Sequence, residues 1–217
     1  MAPVVGEIIR QTRHFLVENV RTTRRYISSL RLGIEIGDLT FQTLDKKTSY
    51  DELMKLMKPL MEGEDMGVIS EAGMPCIADP GRIAVDFAHS NDIEVVPIPG
   101  PSSILLALIG SGLNGQQFTF HGYLPIDREQ RTKRILSLQK EVLGSDITQI
   151  FMETPYRNNQ LLTDLVSNLA GDLLLSIATN LTGDNESVRT KPISFWKAHL
   201  PDLHKKPTIF SLGRRKS

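Results

Sequence analysis

Ser70-Glu71-Ala72-Gly73-Met74-Pro75-Cys76-Ile77-Ala78-Asp79-Pro80-Gly81 is the stretch whose reading decides the fold class. It follows a short apolar run, Met66–Ile69, that reads as a buried strand. It leads into a helix-like segment, Arg82–Ser90. The same order then returns. Residues 93–96 read as a second buried strand, and Pro97-Ile98-Pro99-Gly100-Pro101-Ser102-Ser103 as a second stiff loop. Residues 104–109 are apolar enough to form a helix buried on most sides. A strand, a Gly/Pro loop and a helix start, given twice, is how an open α/β sheet builds a crevice at the carboxyl ends of its strands. Gly73 and Gly100 let backbone amides approach a ligand. Pro75, Pro80, Pro99 and Pro101 fix φ and lower the entropy lost on ordering the loops.

Outward from this centre, 217 residues fit one large α/β domain or two small ones. Forty per cent apolar and 23% charged residues are ordinary for a soluble globular chain. Lys and Arg number 25 and Asp and Glu number 25, so the formal net charge is zero. That balance argues against a strong, diffuse nucleic-acid field and leaves room for a local basic patch. The single cysteine, Cys76, excludes an internal disulfide framework and suits a reducing cytoplasm, the expected location. No segment resembles a signal peptide or an apolar run that spans a bilayer, so no membrane partner is expected. The five histidines show no metal-ligand spacing, and no metal is expected.

Residues 4–12 carry apolar side chains at helical spacing, and 14–18 read as a strand. Asn19 is placed to cap a helix over 20–30, on which Arg21, Arg24 and Arg25 share one face, with Arg31 just beyond. A solvated basic face is the ordinary reading of such a run; contact with RNA phosphate is the other. Residues 33–47 are polar and irregular. Ser49 and Glu52 form a capping box for a helix over 50–61, whose stripe of Leu53, Leu56, Met57, Leu60 and Met61 reads as core. Gly110 to Gly115 matches G-x-G-x-x-G but follows a helix and precedes a strand over 117–121. A dinucleotide fingerprint needs the reverse order, so these glycines read as a helix end and a turn.

Residues 122–127 form the best linker, with Asp127 capping a charged helix over 128–143. The alternation resumes with strand 148–153, helix 156–169 and strand 173–179. A loop over 180–186, a short helix over 193–199, strand 208–212 and a frayed tail over 213–217 complete the chain. The expected architecture is α/β: two small domains in tandem, 1–121 and 122–217, with a cleft between them.

Several of these segments together resemble a known family. They are Ile69 to Gly81, Val96 to Ser103, Ser111-Gly112-Leu113 and Phe120-His121-Gly122-Tyr123-Leu124-Pro125. Glu18-Asn19-Val20-Arg21 resembles an E-D-T-R segment of that family, Phe151-Met152-Glu153-Thr154-Pro155-Tyr156-Arg157 an F-Y-E-S-P-H-R segment, and Ala178-Thr179-Asn180-Leu181-Thr182 an A-R-E-L-T segment. The family is the ribosomal small-subunit RNA 2'-O-methyltransferase I family, within the tetrapyrrole (corrin/porphyrin) methylase superfamily. The resemblance implies a tetrapyrrole methylase-like fold, a homodimer, ribosomal RNA as partner and S-adenosyl-L-methionine (SAM) as methyl donor. It implies cofactor contacts from Ser70, Glu71, Ala72, Gly73, Pro75, Ile77, Ser102 and Ser103 in the first domain. Met152, Asn180, Leu181, Pro207 and Thr208 are the implied contacts from the second. Ile77 and Met152 suit the flanks of an adenine, and Gly-rich turns and helix starts offer amide donors to the methionine end.

Methyl transfer from a sulfonium asks few side chains for help, because positioning supplies most of the catalysis. Glu71, Asp79 and Glu153 are the carboxylates in the matching motifs, but nothing marks one as a base, and each also reads as a loop cap. Ser102 and Ser103 double as helix N-caps. Cys76 has no neighbouring histidine in sequence and reads as inert. Two departures from the family pattern stand out. The family begins with a strand and a Gly-Asn-Leu-Gly-Asp-like loop before the helix at 4–12, which sets the expectation that the present chain starts late or comes from a truncated gene model. In addition, a family carboxylate, lysine and histidine are replaced by Asn180, Gly183 and Asn185. Three readings therefore stay open: an RNA methyltransferase, a methylase of a small tetrapyrrole-type molecule, and a non-catalytic SAM-binding scaffold.

Overall fold

His14–Val17 (β1) is the centre of the first sheet in the computed structural model, which describes residues 3–215. Thr40–Thr43 (β2) and Met66–Ile69 (β3) flank it in parallel, in the order β2-β1-β3. Helices Pro3–Gln11 (α1), Val20–Ser29 (α2), Tyr50–Leu56 (α3), Lys58–Met61 (α4) and Arg82–Ser90 (α5) connect and cover these strands, with a 3-10 turn at Ile36–Asp38 before β2. One apolar cluster joins Leu16 and Leu44 to Leu53, Met57, Ala84 and Phe87. A second joins Phe15 and Val17 to Ile9, Ile27 and Leu39. Alternate residues of β1 thus feed opposite faces, as strand geometry requires. Gly67 is needed beside Phe15: a Cβ there would lie 2.8 Å from the phenyl ring.

The second sheet has five strands in the order β4-β5-β8-β6-β7. They are Phe118–Tyr123 (β4), Thr148–Met152 (β5), Leu174–Thr179 (β6), Ser187–Pro192 (β7) and Thr208–Gly213 (β8). β4 and β5 run parallel, and β8 is antiparallel to both β5 and β6. Helices Arg128–Ser145 (α7), Asn158–Asn168 (α8) and Ile193–Ala198 (α9) bury Ile135, Leu138, Leu161, Leu165 and Trp196 against Phe151, Leu175, Phe210 and Leu212 on one face. Helix Ser103–Ser111 (α6) packs Ile104, Ala107 and Leu108 against Ile150, Ala178 and Ile209 on the other. The chain divides into two compact units, Met1–Ser102 and Ser103–Ser217. The boundary expected at 121/122 falls inside β4, which pairs with β5.

Local chemistry places most elements where the sequence put them. Asn19 accepts a hydrogen bond from the Thr22 amide, Ser49 and Glu52 form the full capping box, and Asp127 accepts from the Gln130 amide. The glycines at 110–115 close α6: Gly112 has φ +68°, and the Leu113 amide donates to Ser111 Oγ.

Four expectations are corrected. Residues 93–96 form no strand, and Val96 is 63% exposed. A strand exists through its ladder of inter-strand hydrogen bonds, and no described segment supplies one there. β3 is half-buried along its length rather than buried. The helix expected over 50–61 breaks at Met57 into α3 and α4, because Pro59 has no amide to donate to the turn before it. The tail is ordered through Gly213 in β8 and Arg214, whose Nε donates to Asp146 Oδ1; Lys216 and Ser217 lie outside the described residues.

Candidate functional site

In the first unit the candidate residues sit at the carboxyl ends of parallel strands. β1 ends at Val17 opposite Ile69, the end of β3. The next residue on the β1 side, Glu18, turns its carboxylate to the following loop, where Oε2 accepts the Glu71 amide at 2.8 Å. Ser70, Glu71, Ala72 and Gly73 form a bend held by this bond, with Ser70 Oγ 3.4 Å from the Ala72 carbonyl. Pro75 is half-buried and Ile77 is 44% exposed. Cys76 and Ala78 both adopt left-handed backbone conformations, φ +71° and +66°. Such conformations cost of order 1–3 kcal/mol each at non-glycine residues and cluster at functional sites. The Cys76 amide donates to the Pro80 carbonyl and closes the loop onto itself. Gly81, at φ +132°, is required where it stands, because a Cβ would lie 2.9 Å from Cys76 Sγ. Ser102 is buried at the end of this unit.

This strand-end loop is electrostatically acidic. Burial, and then the charge of Glu18, hold the Asp79 carboxyl above its ordinary range; Glu71 adds to the effect and Lys46 opposes it. Partial burial pushes the Cys76 thiol up, which agrees with an inert thiol. Among the described residues no hydrogen bond reaches the side-chain carboxylate of Glu71 or Asp79, whereas that of Glu18 is engaged.

In the second unit, strand pairing brings Met152, Asn180, Leu181, Pro207 and Thr208 to one end of the sheet. Met152 pairs with Ile209 and Thr179 with Thr208, and the Asn180 amide donates to the Pro207 carbonyl at 2.9 Å. Met152 and Leu181 are half-buried beside the α6 cluster that Ser103 begins. Asn180 and Thr182 take left-handed conformations, and the Thr182 amide is capped by the Glu186 carboxylate. Glu153, at 5% exposure, accepts from the Thr154 amide and from Arg157 at 2.6 Å each. It is a loop staple, which is the capping role open to it from sequence. Sequence reasoning did not see the Glu18 anchor: it spans 53 residues and joins a side chain to a backbone amide. The available signal was an acidic residue at a strand-to-helix junction.

Among the described residues no group of three or more side chains is arranged to hold a metal ion. No helix among them is long and apolar enough to cross a membrane.

Residues 9–194 match the family of tetrapyrrole (corrin/porphyrin) methylases. The chain belongs to that family. It is 32% identical over 188 residues to the ribosomal RNA small subunit methyltransferase I of Xylella fastidiosa, covering 87% of the present chain and 66% of the relative. It is 32% identical over 180 residues to the protein of the same name from Micromonospora olivasterospora, with 83% and 54% covered, and 32% identical over 174 residues to that of Thermotoga maritima, with 80% and 73% covered. The chain thus spans from about half to three quarters of these relatives. A solved structure of the methyltransferase CobJ superposes with a TM-score of 0.65 at 14% identity, covering 100% of the present chain and 90% of that one, a likeness of fold.

Proposed function

We propose that this chain is a SAM-dependent methyltransferase acting on RNA, with 2'-O-methylation of ribosomal RNA as its reaction. The observation that carries this reading is the β3 strand-end loop: two non-glycine residues in left-handed conformations, glycine and proline around them, and the Glu71 amide fixed by Glu18. Relatives named for ribosomal RNA methylation support the RNA class. The residues fit the cofactor. Met152 and Leu181 offer half-buried apolar surface, and nothing lies within 4 Å of the Cβ position at Gly73, so its backbone is approachable. We assign SAM contacts to Ser70, Glu71, Ala72, Gly73, Pro75, Ile77 and Ser102, and to Ser103, Met152, Asn180, Leu181, Pro207 and Thr208. When bound, SAM supplies a methyl group that passes to an acceptor oxygen while sulfur keeps the electron pair of the broken bond.

The share of the chain's own residues is orientation, which contributes about 7–11 kcal/mol where reactants are well placed. Glu18 holds the loop, and Glu71 and Asp79 are the carboxylates at this strand end that accept no hydrogen bond among the described residues. The acceptor hydroxyl also loses a proton, for which no base is assigned. A cytoplasmic homodimer is the expected form.

Calorimetric titration of SAM, followed by transfer of tritiated methyl groups to small-subunit ribosomal RNA, tests the reading. One-site binding with incorporation into RNA is expected. Incorporation into a tetrapyrrole alone would move the activity to small molecules. Binding without transfer to any acceptor would make the chain a scaffold, and no binding would overturn the methyltransferase.

A further inference from the structure

Helix α2 carries Arg21, Arg24 and Arg25 and no carboxylate. Arg24 and Arg25, with Ser28 and Ser29 one turn on, line a shallow groove of about 500 Å³, wide open to solvent and bordered by Ile36. The pairs 24/28 and 25/29 are four residues apart, so each guanidinium has a hydroxyl beside it on one helix face. Arg10, Arg131, Arg134, Arg157 and Arg214 each pair with a carboxylate, whereas among the described residues Arg13, Arg21, Arg31, Arg82, Arg128, Arg189 and Arg215 do not. No such pair involves Arg24 or Arg25 among the described residues. Glu35 and Asp38, on either side of Ile36, are exposed and do not line the groove.

The groove is also partly preorganised. The Arg24 guanidinium lies 5.9 Å from the centroid of the Phe41 ring on β2, and Phe41 stacks on buried Phe15 at 5.6 Å. Ser29 donates its hydroxyl proton to the Tyr26 carbonyl, which leaves Ser28 as the hydroxyl donor of the pair. Two guanidiniums without carboxylate partners and a hydroxyl donor around an open groove match the needs of phosphate oxygens.

We propose that this groove binds the phosphodiester backbone of the RNA acceptor, with Arg24 and Arg25 on phosphate oxygens and Ser28 donating to one of them. The inference rests on the RNA reading above. The groove also lies on the helix that directly follows Glu18 and Asn19. At about 1.5 Å per residue, Arg24 and Arg25 stand about 8 Å along α2 from Asn19, next to the Glu18 that holds the Glu71 amide.

The test is fluorescence anisotropy of a fluorescein-labelled single-stranded fragment of small-subunit ribosomal RNA, titrated with the 217-residue chain at several KCl concentrations. For Arg24→Ala/Arg25→Ala, affinity is expected to fall tenfold or more. The slope of log K against log salt is expected to become shallower by about 1.4, the loss of two phosphate contacts to a single strand. Arg24→Lys/Arg25→Lys keeps both charges and should keep the slope, which separates lost contacts from a lost fold. Lys55→Ala/Lys58→Ala removes equal charge elsewhere and should change neither quantity. An unchanged slope and affinity in the double alanine variant would overturn the groove and leave the RNA reading standing. Absence of RNA binding by the unaltered chain, while it binds SAM, would overturn both.

Discussion

The two strand ends that carry the candidate residues rest on unlike scaffolds. In the first unit, loop 70–81 rises from three parallel strands, and the strand that delivers it is half-buried throughout. Among the described residues a single side chain, Glu18, ties this loop to the neighbouring strand's end. In the second unit, Thr208 opens a strand buried along its whole length, in a sheet of five. The loops there are stitched to each other: the Asn180 amide to Pro207, the Lys205 amide to Pro155, Asn158 Nδ2 to Lys206 and the Leu203 amide to Asn159 Oδ1. Local stability follows buried contacts and protected hydrogen bonds. The second site is therefore preset, and the first has freedom to adjust around a ligand. The first unit is expected to open before the second under denaturant.

The strongest way to break this contrast is to weaken the second unit. Arg131 and Asp164 form a buried ion pair at 2.6 Å, and Arg131 also donates to the carbonyls of Pro125 and Ile126. Asp164→Ala leaves the guanidinium buried without its counter-charge, which costs about 3–5 kcal/mol. Trp196, the one tryptophan, is buried in this unit and reports its unfolding by fluorescence. Its urea transition should move to lower denaturant, with the unfolding free energy reduced by about 3–5 kcal/mol. A shift below 1 kcal/mol would mean that water or rearrangement relieves the arginine.

A smaller change sharpens the contrast from the other side. Ser49 caps α3 through the Glu52 amide and shares a capping box with the Glu52 carboxylate. Ser49→Ala should cost about 1 kcal/mol. The loss should appear in the early helical signal by circular dichroism and leave the Trp196 transition in place. Equal movement of both signals would show that the two units unfold as one.

Elements fixed by neighbours in sequence were readable before the structure, and those fixed by distant partners were not. The caps at Asn19, Ser49 and Asp127 reach three residues along the chain, so residue type alone announces them. β2 and β7 were missed because both are edge strands with mostly polar sequences, Thr-Phe-Gln-Thr and Ser-Val-Arg-Thr-Lys-Pro, in which Phe41 and Val188 are too few apolar residues to show an alternating pattern. Residues 93–96 show the converse error, since an apolar run is no strand without a ladder. At the site, the motifs brought Met152, Asn180, Leu181, Pro207 and Thr208 into view, and register explains why they gather at one sheet end. The arginines of α2 were visible as residues, but the groove needs Ile36 from a turn beyond the helix.

The smallest effect tests the acidic character of the first site directly. The Asp79 carboxyl is held above its ordinary range by burial first and by the Glu18 charge next, with Lys46 partly offsetting both and Glu71 adding to them. A carboxyl whose folded pKa is raised favours the folded state while it is protonated. That contribution is complete below the unfolded pKa and is lost as pH rises through the folded one. At neutral pH the ionised Asp79 therefore opposes folding of its unit. Asp79→Asn keeps the shape and removes the charge, so the variant should be slightly more stable than the unaltered chain at pH 7. The gain should vanish as pH falls below the ordinary carboxylate range, where both chains are neutral at this position. Thermal midpoints of the first transition between pH 3 and pH 8 give the comparison. A variant less stable than the parent at pH 7 would mean that the carboxylate makes favourable contacts in solution, and the first strand end would then be as firmly fastened as the second.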